Sequence, residues 1–221
     1  MRTADDPLPL TIDAGPGREI GPGREIVRQG EPCPDAWVVR SGALLMEAVD
    51  PEGRRFALDL LGPGDLVGGI PGSTVEATVR AVVRSELMPA GPASLSNGLA
   101  RRARRAAWVA CSLAWDRISE RVAARLLDLG ERFGRPVPGG LFVQLPLTHE
   151  DLAGLAGATR ESVSRALVEL VASGRVAREH GGYVVRRPLG TAGATIPPTG
   201  ATTRPTGASP GSTRRSSARA P

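Results

Sequence analysis

Polar side chains gather on one face near the start of a helix that the sequence predicts from Arg160 to about Ala172. A guanidinium can hold O6 and N7 of guanine through two parallel hydrogen bonds, and a carboxylate can accept from the amino group of cytosine. Such a face can read base pairs in a major groove, although a solvated amphipathic helix has the same periodicity. The polar residues are Arg160, Glu161, Ser164 and Arg165, and the apolar residues opposite them are Val163, Leu167, Leu170 and Val171.

A short helix and a tight turn precede this face and must position it. Thr148 can cap a helix that begins at His149, and Asp151 places negative charge in the first turn, where the helix dipole favours it. Gly157 supplies the sharp turn, and Thr159 caps the second helix. The predicted order is therefore helix, tight turn, helix.

A β-hairpin is predicted directly after these helices. Two short strands at residues 175–179 and 183–187 flank a glycine-rich turn. If this hairpin is the wing of a DNA-binding domain, Arg178 and the neighbouring arginines would lie where it approaches DNA phosphates. Arginines on the surface of a hairpin, however, often contribute only to solubility. The arginines of this hairpin are Arg175, Arg178, Arg186 and Arg187.

Residues 99–133 contain no proline and are rich in Ala, Arg and Leu, which predicts one long helix or two abutting ones. Apolar residues recur every seven positions, so one face can form a seam with a second copy of the chain. The alternative is that this stripe packs on its own β-domain. The expected interface residues are Trp108, Cys111, Trp115, Ile118 and Val122, and the expected solvated face consists of Arg101, Arg102, Arg104 and Arg105.

The N-terminal half shows short β-branched and apolar runs separated by turn signals, which predicts a small antiparallel barrel or sandwich. The hexapeptide GPGREI occurs at residues 15–20 and again at residues 21–26. We expect this duplication to lengthen a loop before the first strand, since glycine and proline break regular structure.

Composition sets limits on the function. The net charge of +5 among 221 residues permits an anionic partner, and no stretch approaches the length that spans a membrane. The two cysteines lie far apart, so we expect no disulfide framework, no metal and a cytoplasmic location. We expect Cys33 in an exposed loop and Cys111 as a small apolar residue of a helix. No catalytic or nucleotide-phosphate motif is present, so an enzyme is not expected.

Two segments resemble the helix-turn-helix signature of the Crp/Fnr regulator superfamily: LTHEDLA at residues 147–153 and GATRESVSRAL at residues 157–167. Residues 26–30, 38–42, 50–53 and 61–68 resemble its cyclic-nucleotide-binding β-roll. The resemblance implies an α+β fold with an N-terminal β-roll, a long dimerisation helix and a C-terminal winged helix-turn-helix. The implied segments are 1–26 (flexible), 27–98 (sensor), 99–134 (connecting helices), 135–187 (winged helix-turn-helix) and 188–221 (disordered basic tail).

By this resemblance the chain would be a homodimeric transcription regulator that binds double-stranded DNA and contacts RNA polymerase. From the residues themselves we expect no cofactor and no membrane association. Arg160, Glu161 and Arg165 would read bases, and the other DNA-binding residues would be Thr148, Thr159, Ser164 and Arg178. Two half-sites would lie about 34 Å apart. The alternative is an interaction module whose winged helix does not bind DNA specifically.

The sensor departs from the pattern of the nucleotide-binding members, which carry a Gly-Glu step and an Arg-Ser pair around the ribose and the cyclic phosphate. The matching positions here are Gly68, Gly69, Val75 and Glu76. The ribose-binding carboxylate and the phosphate-binding guanidinium are missing, and a buried Glu76 would repel a phosphate. Nucleotide-responsive members also carry a polar pair on the dimer helix that contacts the base, and the matching positions here are Ala106 and Ala107. We therefore expect that the sensor does not bind cyclic AMP, and the effector stays open.

Overall fold

The structure is a computed structural model that describes residues 16–179 and 181–186. The predicted basic tail, Arg187 and the first fifteen residues lie outside the described residues. The described chain contains an N-terminal β-roll, two connecting helices and a C-terminal winged helix-turn-helix, as the resemblance implies.

The β-roll consists of two four-stranded antiparallel sheets with the strand orders β1-β8-β3-β6 and β2-β7-β4-β5. Its core lies between the sheets and includes Val39, Leu44, Val67 and Leu87, each almost fully buried. The strands are β1 (Arg18–Ile20), β2 (Glu25–Val27), β3 (Trp37–Ser41), β4 (Leu44–Val49), β5 (Arg55–Leu61), β6 (Leu66–Val67), β7 (Thr78–Ala81) and β8 (Ser85–Pro89).

The duplicated hexapeptide forms strands, so the expectation of a loop is wrong for residues 16–26. The first copy supplies β1, which pairs with β8, and the second copy supplies most of β2, which pairs with β7. The glycine and proline of the second copy make the turn between them, where Gly23 has a φ of 77°. Ile20 and Val27 are buried, so the duplication provides one strand to each sheet.

Two helices follow the β-roll: α1 (Pro92–Trp115) and α2 (Ile118–Phe133). Helix α1 begins seven residues earlier than the sequence predicts, with Pro92 in the first turn, a position that tolerates proline. The chain is extended at Asp116 and Arg117, so the two helices are separate. Gly98 lets α1 approach the sensor, because a β-carbon there would lie 2.6 Å from Cβ of Leu66.

The arginines of α1 are not the solvated face that we expected, except for exposed Arg104. Arg101 donates to the carbonyl oxygen of Gly64, and Arg102 donates to those of Leu66 and Gly68. These contacts anchor α1 on the β-roll through the backbone of the β6 region. Arg105 binds the carboxylates of Asp59 on β5 and of Asp65, next to β6.

The C-terminal part contains the predicted helix-turn-helix and hairpin. Its sheet has the order β11-β12-β10-β9, and the hairpin pairs Val176 with Val185 and Glu179 with Gly182. The elements are β9 (Arg135–Val137), β10 (Gly140–Val143), α3 (His149–Ala156), α4 (Arg160–Ala172), β11 (Val176–Glu179) and β12 (Gly182–Val185).

A second core joins the β-roll to the winged helix. Leu45 and Leu60 of the β-roll belong to the same buried cluster as Leu126 of α2 and Leu152 of α3. Helix α3 packs directly on β5: a β-carbon at Gly154 would lie 2.3 Å from the backbone nitrogen of Ala57. None of the helices in residues 16–179 and 181–186 is long and apolar enough to cross a membrane.

Candidate nucleic-acid interface and sensor pocket

Local capping positions helix α3 as the sequence predicts. The Thr148 hydroxyl accepts a hydrogen bond from the backbone nitrogen of Asp151 at 3.0 Å, and the Asp151 carboxylate accepts one from the backbone nitrogen of Thr148 at 2.7 Å. This reciprocal pair satisfies two amides that have no partner within the helix. Gly157 ends α3 in the left-handed conformation, with a φ of 59°. The predicted tight turn is confirmed.

Helix α4 begins at the predicted residue and turns its polar face to solvent. The Thr159 hydroxyl accepts from the backbone nitrogen of Ser162 at 3.2 Å. Arg160, Glu161 and Arg165 are exposed, and none of them forms an ion pair within the described part of the chain. Three charged groups on the outer face of α4, near its start, are therefore available for a partner from outside the chain.

Apolar side chains extend this outer face beyond what the sequence pattern predicts. Val168 is 70% exposed and lies one turn after Ser164. Val171 is 44% exposed, so its assignment to the buried face is wrong. The buried positions of α4 are Val163, Ala166, Leu167 and Leu170. An exposed valine beside these polar groups has the chemistry to contact a thymine methyl.

His149 joins three elements of the winged helix, a role that the sequence did not reveal. Its Nδ1 atom lies 3.2 Å from the hydroxyl of Ser164 on α4, and its Nε2 atom lies 3.4 Å from the hydroxyl of Tyr183 on β12. The half-buried imidazole thus links the start of α3 to the outer face of α4 and to the wing.

Two arginines of the hairpin segment, Arg175 just before β11 and Arg178 within it, have different surroundings. Arg178 is exposed on β11, where a phosphate can reach it. Arg175 instead forms a two-pronged ion pair with Glu120 of α2, at 2.7 Å and 3.0 Å. Its hydrogen bonds lower the pKa of Glu120, and the same contact raises the pKa of Arg175. Arg175 therefore fixes the hairpin to α2.

The predicted interface stripe does not form one continuous face, because the break after Trp115 separates its two halves. Val122 is fully buried in the joint core and cannot contact a second copy, and Ile118 packs against that core. Trp108 is half-buried, with the guanidinium of Arg125 4.2 Å above its ring. Only Cys111 and Trp115 of the stripe are exposed, Trp115 to 87%.

Helix α1 exposes a different face, made of small residues. The spacing of these positions places them on one side of the helix, opposite the buried Ser94, Gly98 and Ser112. Cys111 borders this face. The small exposed residues are Ala103, Ala106, Ala107, Ala110 and Ala114.

The sensor residues that we singled out line one cavity of about 280 Å³ between the β-roll and α1. Val75 is buried, whereas Glu76 is exposed, so the expectation that burial amplifies its charge is wrong. At Gly68 and Gly69 the chain offers backbone instead of a carboxylate. The carboxylate and the guanidinium that would fit a cyclic nucleotide are thus absent from these positions.

Cys33 also lines this cavity and is buried, contrary to the exposed loop that we expected. Its sulfur accepts a hydrogen bond from the backbone nitrogen of Gly69 at 3.2 Å. The flanking prolines indicated a loop correctly, but this contact folds the loop inward. Cys111 is exposed on α1. Within the described residues, no group of three His, Cys, Asp or Glu side chains is placed to hold a metal ion.

Comparisons with known proteins agree with this architecture. Residues 17–101 match the cyclic nucleotide-binding domain, and residues 120–189 match the Crp-like helix-turn-helix domain. A protein of Mycobacterium tuberculosis described as a CRP-like cAMP-activated global transcriptional regulator is 33% identical over 174 residues, which cover 71% of this chain and 78% of that protein.

Two further relatives cover similar spans. The regulatory protein CysR of Synechococcus elongatus is 30% identical over 157 residues, 69% of this chain and 76% of that protein. The crystal structure of a CRP/FNR-family transcriptional regulator from Thermus thermophilus superposes with a TM-score of 0.68 at 28% identity, covering 78% of this chain and 94% of that one. The chain belongs to the Crp/Fnr family of transcription regulators, with a cyclic nucleotide-binding domain followed by a Crp-like helix-turn-helix.

Proposed function

We propose that the chain regulates transcription as a homodimer that reads a two-fold symmetric operator through α4. The observation that carries this proposal is the outer face of α4, where Arg160, Glu161 and Arg165 are exposed without an ion pair in the described chain. A capped helix that presents free charged groups beside a wing has the chemistry of a major-groove reader.

The residues of this surface divide into two roles. Arg160, Glu161 and Arg165 contact base edges, since guanidinium and carboxylate groups match the donors and acceptors of the major groove. Thr148 and Thr159 lie at helix N-termini, where the backbone amides favour phosphate. Ser164 contacts a phosphate or a base edge, and Arg178 contacts phosphate from the wing.

The homodimer forms through the small-residue face of α1, in place of the stripe that runs into α2. Alanines let two helices approach closely, and Trp115 would lose part of its exposure at such an interface. Cys111 gives a direct test, because Cys33 is buried and Cys111 is the exposed cysteine. A short bismaleimide should join two chains through Cys111, and Cys111→Ser should abolish the product.

The sensor works without cyclic AMP. The M. tuberculosis relative is described as cAMP-activated, and this chain has Gly69 and Val75 where nucleotide-binding members carry a carboxylate and a guanidinium. A cyclic phosphate in this cavity would lack the charge-assisted hydrogen bonds that make phosphate sites strong.

Selection of duplexes from a random pool by the purified protein tests this function, with and without cyclic AMP. The expected product is a two-fold symmetric motif whose half-sites lie about 34 Å apart and whose enrichment the nucleotide does not change. Lack of enrichment at low salt would instead favour a winged helix that serves as a protein-interaction surface. Transcription with purified RNA polymerase on a template that carries the motif then tests the polymerase contact.

A further inference from the structure

The sensor cavity is lined by a positively charged side chain that forms no ion pair within the described chain. Arg102 of α1 lines the cavity, and its guanidinium donates to the carbonyl oxygens of Leu66 at 2.8 Å and Gly68 at 3.1 Å. No Asp or Glu oxygen of the described residues lies within ion-pair distance of it. Backbone carbonyls solvate a guanidinium only in part, because they carry no net charge.

The positive charge of Arg102 is only partly compensated by the groups around it. Burial lowers the pKa of Arg102 below its ordinary value, although the charges of Asp59, Glu76 and Asp65 act in the opposite direction. The neighbouring Arg105 has two carboxylates in direct contact, at 2.9 Å and 2.6 Å. Arg102 therefore differs from Arg105 in lacking a partner anion, and it lines a cavity where a ligand could supply one.

The rest of the cavity is mainly apolar. Its walls include Val27, Met46 and Val79, and two further apolar residues of the lining are unusually exposed: Leu58 to 40% and Ile70 to 58%. Exposed aliphatic side chains around a concave site are typical of surfaces that a ligand covers. A volume of about 280 Å³ limits the ligand to a small molecule.

We propose that this cavity binds a small, largely apolar monocarboxylate, whose carboxylate pairs with Arg102 and whose apolar body covers Leu58 and Ile70. A guanidinium matches a carboxylate through two parallel hydrogen bonds. Glu76 stands exposed at the cavity, where solvent weakens its repulsion of the ligand carboxylate without abolishing it. Only the effect of the ligand on DNA binding rests on the proposed regulatory function; ligand binding itself does not. Ligand binding is therefore measured with the full-length protein in the absence of DNA.

Two probes that differ in one charge test the pairing. Calorimetric titration of the full chain with 1-naphthaleneacetate and with 1-naphthaleneacetamide compares the same ring system with and without the carboxylate. We expect the acid to bind at least about tenfold more tightly than the amide. Equal affinities, no binding of the acid, or tighter binding of cyclic AMP than of the acid would each overturn the proposal.

Variants locate the charge that distinguishes the probes. Arg102→Met should remove the preference for the acid, and Arg104→Met, an exposed arginine on the same helix, should keep it. Glu76→Gln should fold normally because the side chain is exposed, and it should tighten acid binding about two- to fivefold without changing amide binding. An unchanged preference in Arg102→Met, or unchanged acid binding in Glu76→Gln, would contradict the assignment. If the protein selects no duplex but still prefers the acid to the amide, the proposed regulatory function is contradicted and the proposed ligand site is not.

Discussion

The Asp65 carboxylate accepts two hydrogen bonds from the guanidinium of Arg105, at 2.6 Å and 3.1 Å, and this pair joins the β-roll to α1. Arg132 of α2 reaches the same carboxylate at 2.6 Å. Burial alone would raise the pKa of Asp65, but the hydrogen bond from Arg105 and the charges of Arg132 and Arg105 outweigh it, so the pKa lies below its ordinary value. One buried carboxylate thus connects the sensor to both connecting helices.

Asp65→Asn should therefore destabilise the protein by about 3 kcal/mol at neutral pH, because it leaves two guanidinium groups without their central anion. Since the folded pKa is depressed, the contribution of Asp65 is fully present above the unfolded value of roughly 4 and is lost as pH falls through the folded pKa. Urea unfolding of both proteins at decreasing pH measures this difference.

Asp35→Asn is the matched control for this experiment, since Asp35 is exposed and forms no ion pair within residues 16–179 and 181–186. It should change the free energy of unfolding by less than about 0.5 kcal/mol. The role of the charged pair would be contradicted if the difference in the free energy of unfolding between wild type and Asp65→Asn stayed constant as falling pH protonates the carboxylates.

His149 should couple to Ser164 in DNA binding. His149→Ala removes the hydrogen bonds to Ser164 and Tyr183 and should weaken binding to the selected duplex by about 1 kcal/mol. Because Ser164→Ala removes one of the same contacts, the double variant should lose less than the sum of the two single changes. Fluorescence anisotropy with a labelled duplex measures the cycle, and strictly additive losses would show that the imidazole does not position Ser164.

The face of α1 should control the oligomeric state. Ala110→Glu places a carboxylate on the small-residue face, and two copies across a two-fold axis would bring like charges together in a desolvated seam. Analytical ultracentrifugation should show a monomer for Ala110→Glu and a dimer for the wild type. Arg18→Glu, at an exposed position on β1, is the control and should stay dimeric. If Ala110→Glu is still a dimer, the interface does not lie on the small-residue face of α1.

The parts of the site that the sequence predicted are the parts that depend on neighbouring residues. Thr148, Thr159 and Gly157 act through hydrogen bonds or backbone conformation within a few positions, and each occupies its expected place. Arg105 and Asp65 lie forty residues apart in the chain. No local pattern distinguishes such a paired arginine from a solvated one.

The joint core explains the remaining differences. The heptad spacing of Trp108, Trp115 and Val122 describes a continuous helix, but the extended backbone at Asp116 and Arg117 redirects the chain and turns Val122 toward the winged helix. The amphipathic pattern of α2 is the same whether its apolar face meets a second copy or its own domain. Only the tertiary contacts decide between the two.

Helix α4 is proposed to read bases while the wing contacts the DNA backbone, and one binding comparison tests this division most directly. Binding free energies are measured for wild type, Arg165→Ala and Arg178→Ala on the selected duplex and on its single-base variants, at several salt concentrations. Both side chains are exposed arginines of the winged helix, so each is the control for the other.

Arg165→Ala should lose about 1 to 3 kcal/mol of discrimination at one base pair and leave the others unchanged. Arg178→Ala should weaken binding equally on all duplexes and reduce the salt slope by about one. Uniform loss for Arg165→Ala across every sequence would contradict the assignment of α4 as the base-reading helix.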